Sequence, residues 1–414
     1  MSNLLFLLIS LSVFSFKNRN VEPAEHVFYF STVKFIETPL SYLEGSVPLS
    51  KEMAMQRNHY RFTYDAQMQL QRIEFFNRNT AREPNHTANH FILAHKTVIE
   101  YESNKEIISF FDSKGNPKNV LGDCYRMVYQ LNDLGYREKL FFKNQKGQRI
   151  ENSWNIYEYR WSYQKDGSVI EDRLNRAKEQ VRIRPSFEFY RLRLYFDHKG
   201  HIALMQNIDQ QGNLIENATG AAQDKITTNA QGNLLSWEVL DKNDQPEKGN
   251  GPDVAYGIQT IDELGYEIGL KQYDEQKNLI YSKYGICQSK TSYDQFGNLA
   301  ERWFYNEKSE ASLHKNAGYH HLKISWDPSG NYRTKLAYFD IQNKPVSHAQ
   351  RGYQQVNYEY DGNNNLIKIS YHNKEGKLVN RTDNGIAYIE YEYDSNGKRE
   401  KIKRFTKDQQ IINQ

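Results

Sequence analysis

Histidines and carboxylates crowded in sequence are the first place to look for chemistry, and one stretch qualifies: Glu83, His86, His90 and His95. Three such donors converging on one point would make a transition-metal site. The spacing suits one face of a helix, whereas the segment is polar and irregular, so the plainer expectation is a loop without metal. Glu390 and Glu392 share one side of an extended strand, a pair of acids of the kind a glycosidase uses. They alternate with Ile389, Tyr391 and Tyr393, which favours a solvated strand face. His320 and His321 point to opposite faces of a strand, so at most one could serve a site. Nucleotide loops, nucleophile elbows, His-Glu-x-x-His and Cys-x-x-Cys motifs do not occur in the sequence. No catalytic, cofactor-binding or metal-binding residue is therefore assigned, no cofactor is expected, and the chain reads as non-enzymatic. An enzyme would have to build its site in the irregular N-terminal part, from His86, His90 and a carboxylate.

The elements that would position any site come from a repeat. Its marker is an aromatic residue followed by Asp and then a Gly/Asn turn: Tyr293-Asp294 with Gly297-Asn298, Trp326-Asp327 with Gly330-Asn331, Tyr360-Asp361 with Asn363 to Asn365, and Tyr393-Asp394 with Gly397. Walking backward at the same step gives marker positions 65, 102, 132, 164, 197, 229, 262, 294, 327, 361 and 394. A second turn follows 11 to 13 residues later in most copies, as at Asp209, Asp241, Asp274, Asn306, Asp340 and Asn373. Between the turns the alternation has period two, with Val356, Tyr358 and Tyr360 against Gln355, Asn357 and Glu359. Each unit is thus a β-hairpin. Asp-x-x-Gly places a carboxylate where it caps backbone amides and a glycine where the left-handed conformation closes the turn, so the recurrent Asp residues are turn formers rather than calcium ligands. One hairpin cannot bury its aromatic face alone, and neighbours must stack. The expected fold class is all-β, with tandem hairpin repeats stacked into an elongated or spiralling antiparallel sheet or solenoid.

The marker resembles the YD repeats of bacterial Rhs-type and related cell-surface proteins, over most of the chain after residue 60. Those families commonly repeat at about twenty residues, against about 33 with two turns per unit here. The resemblance implies a long β-sheet spiralling into a shell; no further domain follows the last repeat in this sequence, so a toxin enclosed in the same chain is not expected.

Composition agrees with a thin stack. Among 414 residues, aromatics make up 14%, with 30 Tyr and 21 Phe, while the hydrophobic fraction is only 38% and the mean hydropathy is −0.84. Lys and Arg number 54 against 51 Asp and Glu, a net +3 that gives no electrostatic footprint for nucleic acid. Leu4 to Phe14 is an apolar run of signal-peptide length, too short to span a bilayer. The expected organisation is a signal peptide over 1–18, an N-terminal segment or cap over 19–60, and about eleven hairpin repeats over 61–414. Cys124 and Cys287 lie before markers five repeats apart; stacking at about 4.8 Å per strand separates them by more than about 20 Å, whereas a disulfide needs Cα atoms within about 7 Å. Both are expected as free thiols. Asn85, Asn217 and Asn380 begin glycosylation sequons that matter only in a eukaryotic secretory pathway.

The function expected is that of an exported binding or cell-surface module for a glycan or cell-wall polymer, or for another protein, with Trp154, Trp161, Trp237 and Trp303 as the aromatic platforms to inspect. The alternatives are a scaffold or shell component associated with a toxin or secretion partner, and an enzyme. Neither nucleic acid nor a transmembrane span is expected; the localisation is extracellular, cell-surface or periplasmic, and the oligomeric state stays open.

Overall fold

A computed structural model describes residues 25–84 and 92–412. The expected signal peptide, His86, His90 and the Asn85 sequon lie outside the described residues. Everything described belongs to one open antiparallel sheet of 26 strands, apart from turns, loops and one short helix. The sheet begins with β1 (His26–Val33), which pairs with β2 (Gly45–Leu49) on one side and β3 (Asn58–Tyr64) on the other. Helix α1 (Lys51–Ala54) links β2 to β3, capped by Ser50, whose Oγ accepts from the Met53 amide at 3.2 Å. From β3 and β4 (Leu70–Asn77) onward, hairpin follows hairpin to the last strand, Arg399–Phe405. Residues 26–49, in the stretch expected as an N-terminal cap, thus supply two strands of the sheet itself.

The repeat marker has a physical reading at each of its letters. The Asp carboxylate caps the turn: Asp294 Oδ1 accepts from the Phe296 and Asn298 amides, both at 2.9 Å. Gly297 follows at φ +84°, which a side chain would strain. The aromatic letter is a latch to the preceding hairpin. Tyr101, Tyr163, Tyr293, Tyr360 and Tyr393 each donate their hydroxyl to the backbone carbonyl of Leu70, Arg137, Glu267, Arg333 and Leu366, at 2.9–3.1 Å, and Trp326 donates its indole N–H to Leu299 O at 2.9 Å. Behind each hairpin the connecting loops form their own column, linked by Lys283 N to Pro252 O, Lys315 N to Gly285 O, Ala349 N to Ala317 O and Thr382 N to Arg351 O.

The sheet coils back on itself. The first strands rest on the tips of hairpins far later in sequence, along a polar seam. Phe35 N donates to Gly232 O and Asn58 N to Phe296 O, both at 2.8 Å. Asn58 Nδ2 donates to Asn298 Oδ1 at 2.9 Å, and Asn77 Nδ2 to Asn331 Oδ1 at 2.9 Å. Arg82, 6% exposed, donates to Asn298 Oδ1 at 2.9 Å and Gly330 O at 2.7 Å while lying over the Trp326 ring. Lys114 Nζ reaches Asn365 Oδ1. The hairpin whose tip is at 65 therefore sits on tips seven and eight hairpins further on, which sets about one turn of a spiral.

The inner face carries the core. Positions three and five before the markers at 65, 132, 164 and 197 supply Tyr60, Phe62, Met127, Tyr129, Tyr159, Trp161, Leu192 and Leu194, all buried in one cluster. The loop between β1 and β2 crosses this face and fills it with Ile36, Leu40 and Leu43. Arg137 holds the loop there: it donates to the carbonyls of Pro39, Leu40 and Ser41 at 2.8–3.2 Å, pairs with Glu106 at 2.5 Å, and lies between the rings of Tyr129 and Tyr42 at 4.0 and 4.2 Å. A second cluster, Phe304, Tyr319, Tyr338, Tyr353, Val356 and Tyr371, continues the face toward the far end. There Tyr358, Ile369, Ile389 and Tyr391 stay half-exposed.

Candidate ligand site at the spiral seam

The inner-face pattern fails in two adjacent hairpins, those with tips at 262 and 294. Three residues before the marker, where each of the other marked hairpins carries an aliphatic or aromatic residue, these carry Gln259 and Thr291, and their partner strands add Glu267 and Arg302, at places where other hairpins carry Arg137, Arg333 and Arg399 or Glu171. The strands bring the four together. Gln259 Nε2 donates to Glu267 Oε2 at 3.0 Å, and Arg302 Nε donates to Thr291 Oγ1 at 3.2 Å. The nearest guanidinium nitrogen of Arg302 stands 4.0 Å from Glu267 Oε1, too far for a direct hydrogen bond. Burial pushes the Glu267 carboxyl above its ordinary pKa, and Arg302 only partly offsets this.

Gln259, Glu267 and Arg302 wall a cavity of about 330 Å³ between the two turns of the spiral. Tyr266 and Tyr293 stack on one side, with centroids 4.7 Å apart and planes at 25°. Ser31, Thr32, Asn58 and Asn233 close it from the first strands and the neighbouring tip. Gly297 is required here, because a methyl group at that position would collide with the Tyr266 hydroxyl. Two polar atoms on the wall lack partners: the Tyr266 hydroxyl and Asn233 Nδ2 are both shielded from solvent and unbonded. Asn233 is 6% exposed, and its Oδ1 is engaged by Ser46 Oγ at 3.0 Å. An unpaired buried donor is unfavourable by about 1–3 kcal/mol.

The residues singled out from sequence fall elsewhere. His95 is buried, with Nδ1 2.8 Å from Phe75 O and 3.2 Å from Arg82 O. Glu83 accepts from the His95 and Ser113 amides and from Lys118. Among the described residues no group of three or more His, Cys, Asp or Glu could hold a metal ion. Glu390 pairs with Lys368, and Glu392 with Lys401 and Lys403, on the outer face. His320 bonds Ser312 O through Nδ1, and His321 stacks on Trp303 at 5.1 Å. Cys124 and Cys287 are buried free thiols, each pushed up to about 12 by burial. Asn217 caps a turn through the Thr219 amide, and Asn380 accepts from the Lys407 amide. The tryptophans form no shared platform. Trp161 is buried and donates to Glu171 Oε2 at 2.8 Å, Trp154 packs on the core, and Trp237 lies flat over Gly257, where a methyl would collide with its indole. Sequence reasoning missed the seam cavity, although Gln259 and Thr291, polar residues three before the marker in consecutive repeats, were a visible signal.

No helix of the described residues is long and apolar enough to cross a membrane. No family model and no curated protein matches the sequence. Among solved structures, a TcdB2–TccC3–Cdc42 complex aligns at TM-score 0.30 and 14% identity over 84% of this chain and 15% of that chain. The Photorhabdus luminescens Tc holotoxin pore aligns at TM-score 0.31 and 14% identity over 87% of this chain and 19% of that one. A porin-like protein from Bacteroides uniformis aligns at TM-score 0.20 and 10% identity, over 75% and 93%. The chain spans less than a fifth of the toxin chains it matches, and likeness at these scores carries no argument about its role.

Proposed function

We propose that this chain is a non-enzymatic, exported interaction module whose ligand, a glycan or a protein, meets the inner face of the spiral. The observation that carries the reading is the loss of the apolar residue three before the marker, at Gln259 and Thr291, beside a cavity that Gln259, Glu267, Arg302 and the stacked rings of Tyr266 and Tyr293 line without filling. Small-molecule sites combine a concave wall with a few placed polar groups, as this one does. Glu267 has Arg302 and Gln259 beside it rather than a second acid, which suits holding a ligand better than cleaving one. The test is a glycan array of bacterial cell-wall and plant oligosaccharides, with mass spectrometry of the recovered ligand. Binding with the ligand returned unchanged is expected; product formation would overturn the non-enzymatic reading.

A second reading, a scaffold around another protein, is favoured by the half-exposed inner face of the last hairpins. Tyr358 and Tyr391 lie there beneath Arg333 and Arg399, and Tyr and Arg are the residues enriched at protein interfaces. A protein partner held there would be released by Tyr391→Ser combined with Arg399→Ser.

A further inference from the structure

Resting on the glycan branch of that reading, we propose that the seam cavity holds one neutral hexose-sized sugar unit, free or as the end of a longer glycan, and that the sugar ties the two turns of the spiral together. The size fits. A cavity of about 330 Å³ corresponds to about eleven waters at about 30 Å³ each, and a hexose brings about a dozen heavy atoms.

The chemistry fits as well. A sugar hydroxyl is both donor and acceptor, and the wall offers both roles at close range. Glu267 Oε1 has no partner nearer than the guanidinium at 4.0 Å and can accept. Arg302, which lines the cavity and gives its Nε to Thr291, can donate through its terminal guanidinium nitrogens. The Tyr266–Tyr293 stack supplies an apolar wall for the C–H face of the ring. An anionic sugar would meet Glu267 and gain only Arg302, whose Nε is already given to Thr291; a neutral one avoids that conflict. Tying follows from the composition of the wall. Asn58 and Thr32 come from the first strands, while Glu267 and Tyr293 come from hairpins one turn later.

The experiment is isothermal titration of the full chain with glucose, galactose, mannose, N-acetylglucosamine and glucuronic acid, repeated on Glu267→Gln and on Trp303→Ala, with melting curves for all three proteins. Trp303 stacks on His321 outside the cavity and stands for the rival surface. At least one neutral sugar is expected to bind with a dissociation constant of roughly 0.1–1 mM, the range for about a dozen heavy atoms at ordinary ligand efficiency. Glu267→Gln should weaken it at least tenfold at an unchanged melting temperature, Trp303→Ala should leave it intact, and saturating sugar should raise the melting temperature. Binding that survives Glu267→Gln, binding lost in Trp303→Ala, or preference for glucuronic acid would each overturn the proposal. No monosaccharide binding would also overturn it; if oligosaccharides were still retained on the array, the broader interaction reading would stand, and if none were, its glycan branch would fall with it.

Discussion

Replacing Asn298 by Ala separates the spiral seam from local turn chemistry, because Asn278 offers a matched control. Both residues follow a turn Asp by four positions, and both donate their side-chain amide to that Asp, at 2.9 Å for Asn298 and 3.1 Å for Asn278. Only Asn298 is also in the seam. Its Oδ1 accepts from Asn58 and Arg82, each at 2.9 Å, and its Nδ2 donates to Gly330 O at 2.9 Å. Asn298→Ala removes these three bonds, although Gly330 O keeps Arg82 and Arg82 keeps Gly330, so the main orphan is Asn58 Nδ2. The bonds from Asn58 and Arg82 cross the seam, while the one to Gly330 O joins neighbouring tips; at about 1 kcal/mol net per bond, the seam share is about 2 kcal/mol beyond whatever Asn278→Ala costs. A chain of this length need not unfold in two states, so the assay is local. Hydrogen exchange at the Asn58 amide, which donates to Phe296 O across the seam, should accelerate about thirtyfold in Asn298→Ala and hardly at all in Asn278→Ala. Equal exchange in the two variants would mean that the turns of the spiral are not docked in solution. X-ray scattering would then show a radius of gyration well above the roughly 22 Å of a compact chain of this length.

Tyr393→Phe deletes one latch hydroxyl and leaves Leu366 O without it, which should lower stability by about 1 kcal/mol in urea titrations. Glu171→Gln should cost more, about 3–5 kcal/mol, because Arg173 and Glu171 are fully buried and the guanidinium would keep its charge without a counter-ion; Trp161, which donates to Glu171, reports the change by fluorescence. Asp224 is buried, and its folded pKa is raised to about 7 by that burial. The folded state therefore binds the proton more tightly than the unfolded one, and stability falls as pH rises from about 4 through 7. Asp224→Asn should remove this slope in melting curves recorded between pH 5 and 8 and stabilise the chain at the upper end. Intact mass after alkylation should show two reactive thiols on unfolding, in keeping with Cys124 and Cys287 as free buried cysteines.

Hairpins were legible because their determinants are local. The alternation of Val356, Tyr358 and Tyr360 sets the buried face, and Asp361 caps its own turn through the Asn363 and Asn365 amides, so nothing distant is needed to read either. The latch was half-legible: Tyr recurs before Asp, but its carbonyl partner lies 26 to 31 residues back and is fixed by stacking, not by the motif. The tip at 102 shows the limit of the motif, since Glu102 pairs directly with Lys105 across a two-residue turn. Curvature was not legible from one unit, because the seam joins residues more than 180 positions apart, such as Ser46 and Asn233. The loop over 34–44 was hidden for the same reason: Arg137 reads as an ordinary strand cation until three carbonyls from a distant segment converge on it. The site was obscured by attention to histidines and tryptophans, while its signal was the loss of apolar residues at inner positions.

The fifth residue of the turn holds part of the remaining information about the spiral. Beneath the first strands it is Asn at 233, 298, 331 and 365, each of which bonds a group from the preceding turn, and Tyr266 at the tip where Ser31 Oγ donates to Leu264 O. Where no strand lies above, the same position is Gln69, Tyr136 or Ser168. Local turn closure cannot explain this division, because Tyr136 and Ser168 close their turns through the same backbone bonds to Asn132 and Gln164 as Asn298 does to Asp294. At these four tips the amide oxygen of Asn accepts from a side chain of the preceding turn. The exposed tip at 132 carries Leu134 and Tyr136, 79% and 51% exposed. The Asn side chains at 233, 298, 331 and 365 thus mark tips that lie under another turn, while Tyr266 beneath the first strands and Asn278 outside the seam show that the residue at this position does not by itself encode the spiral.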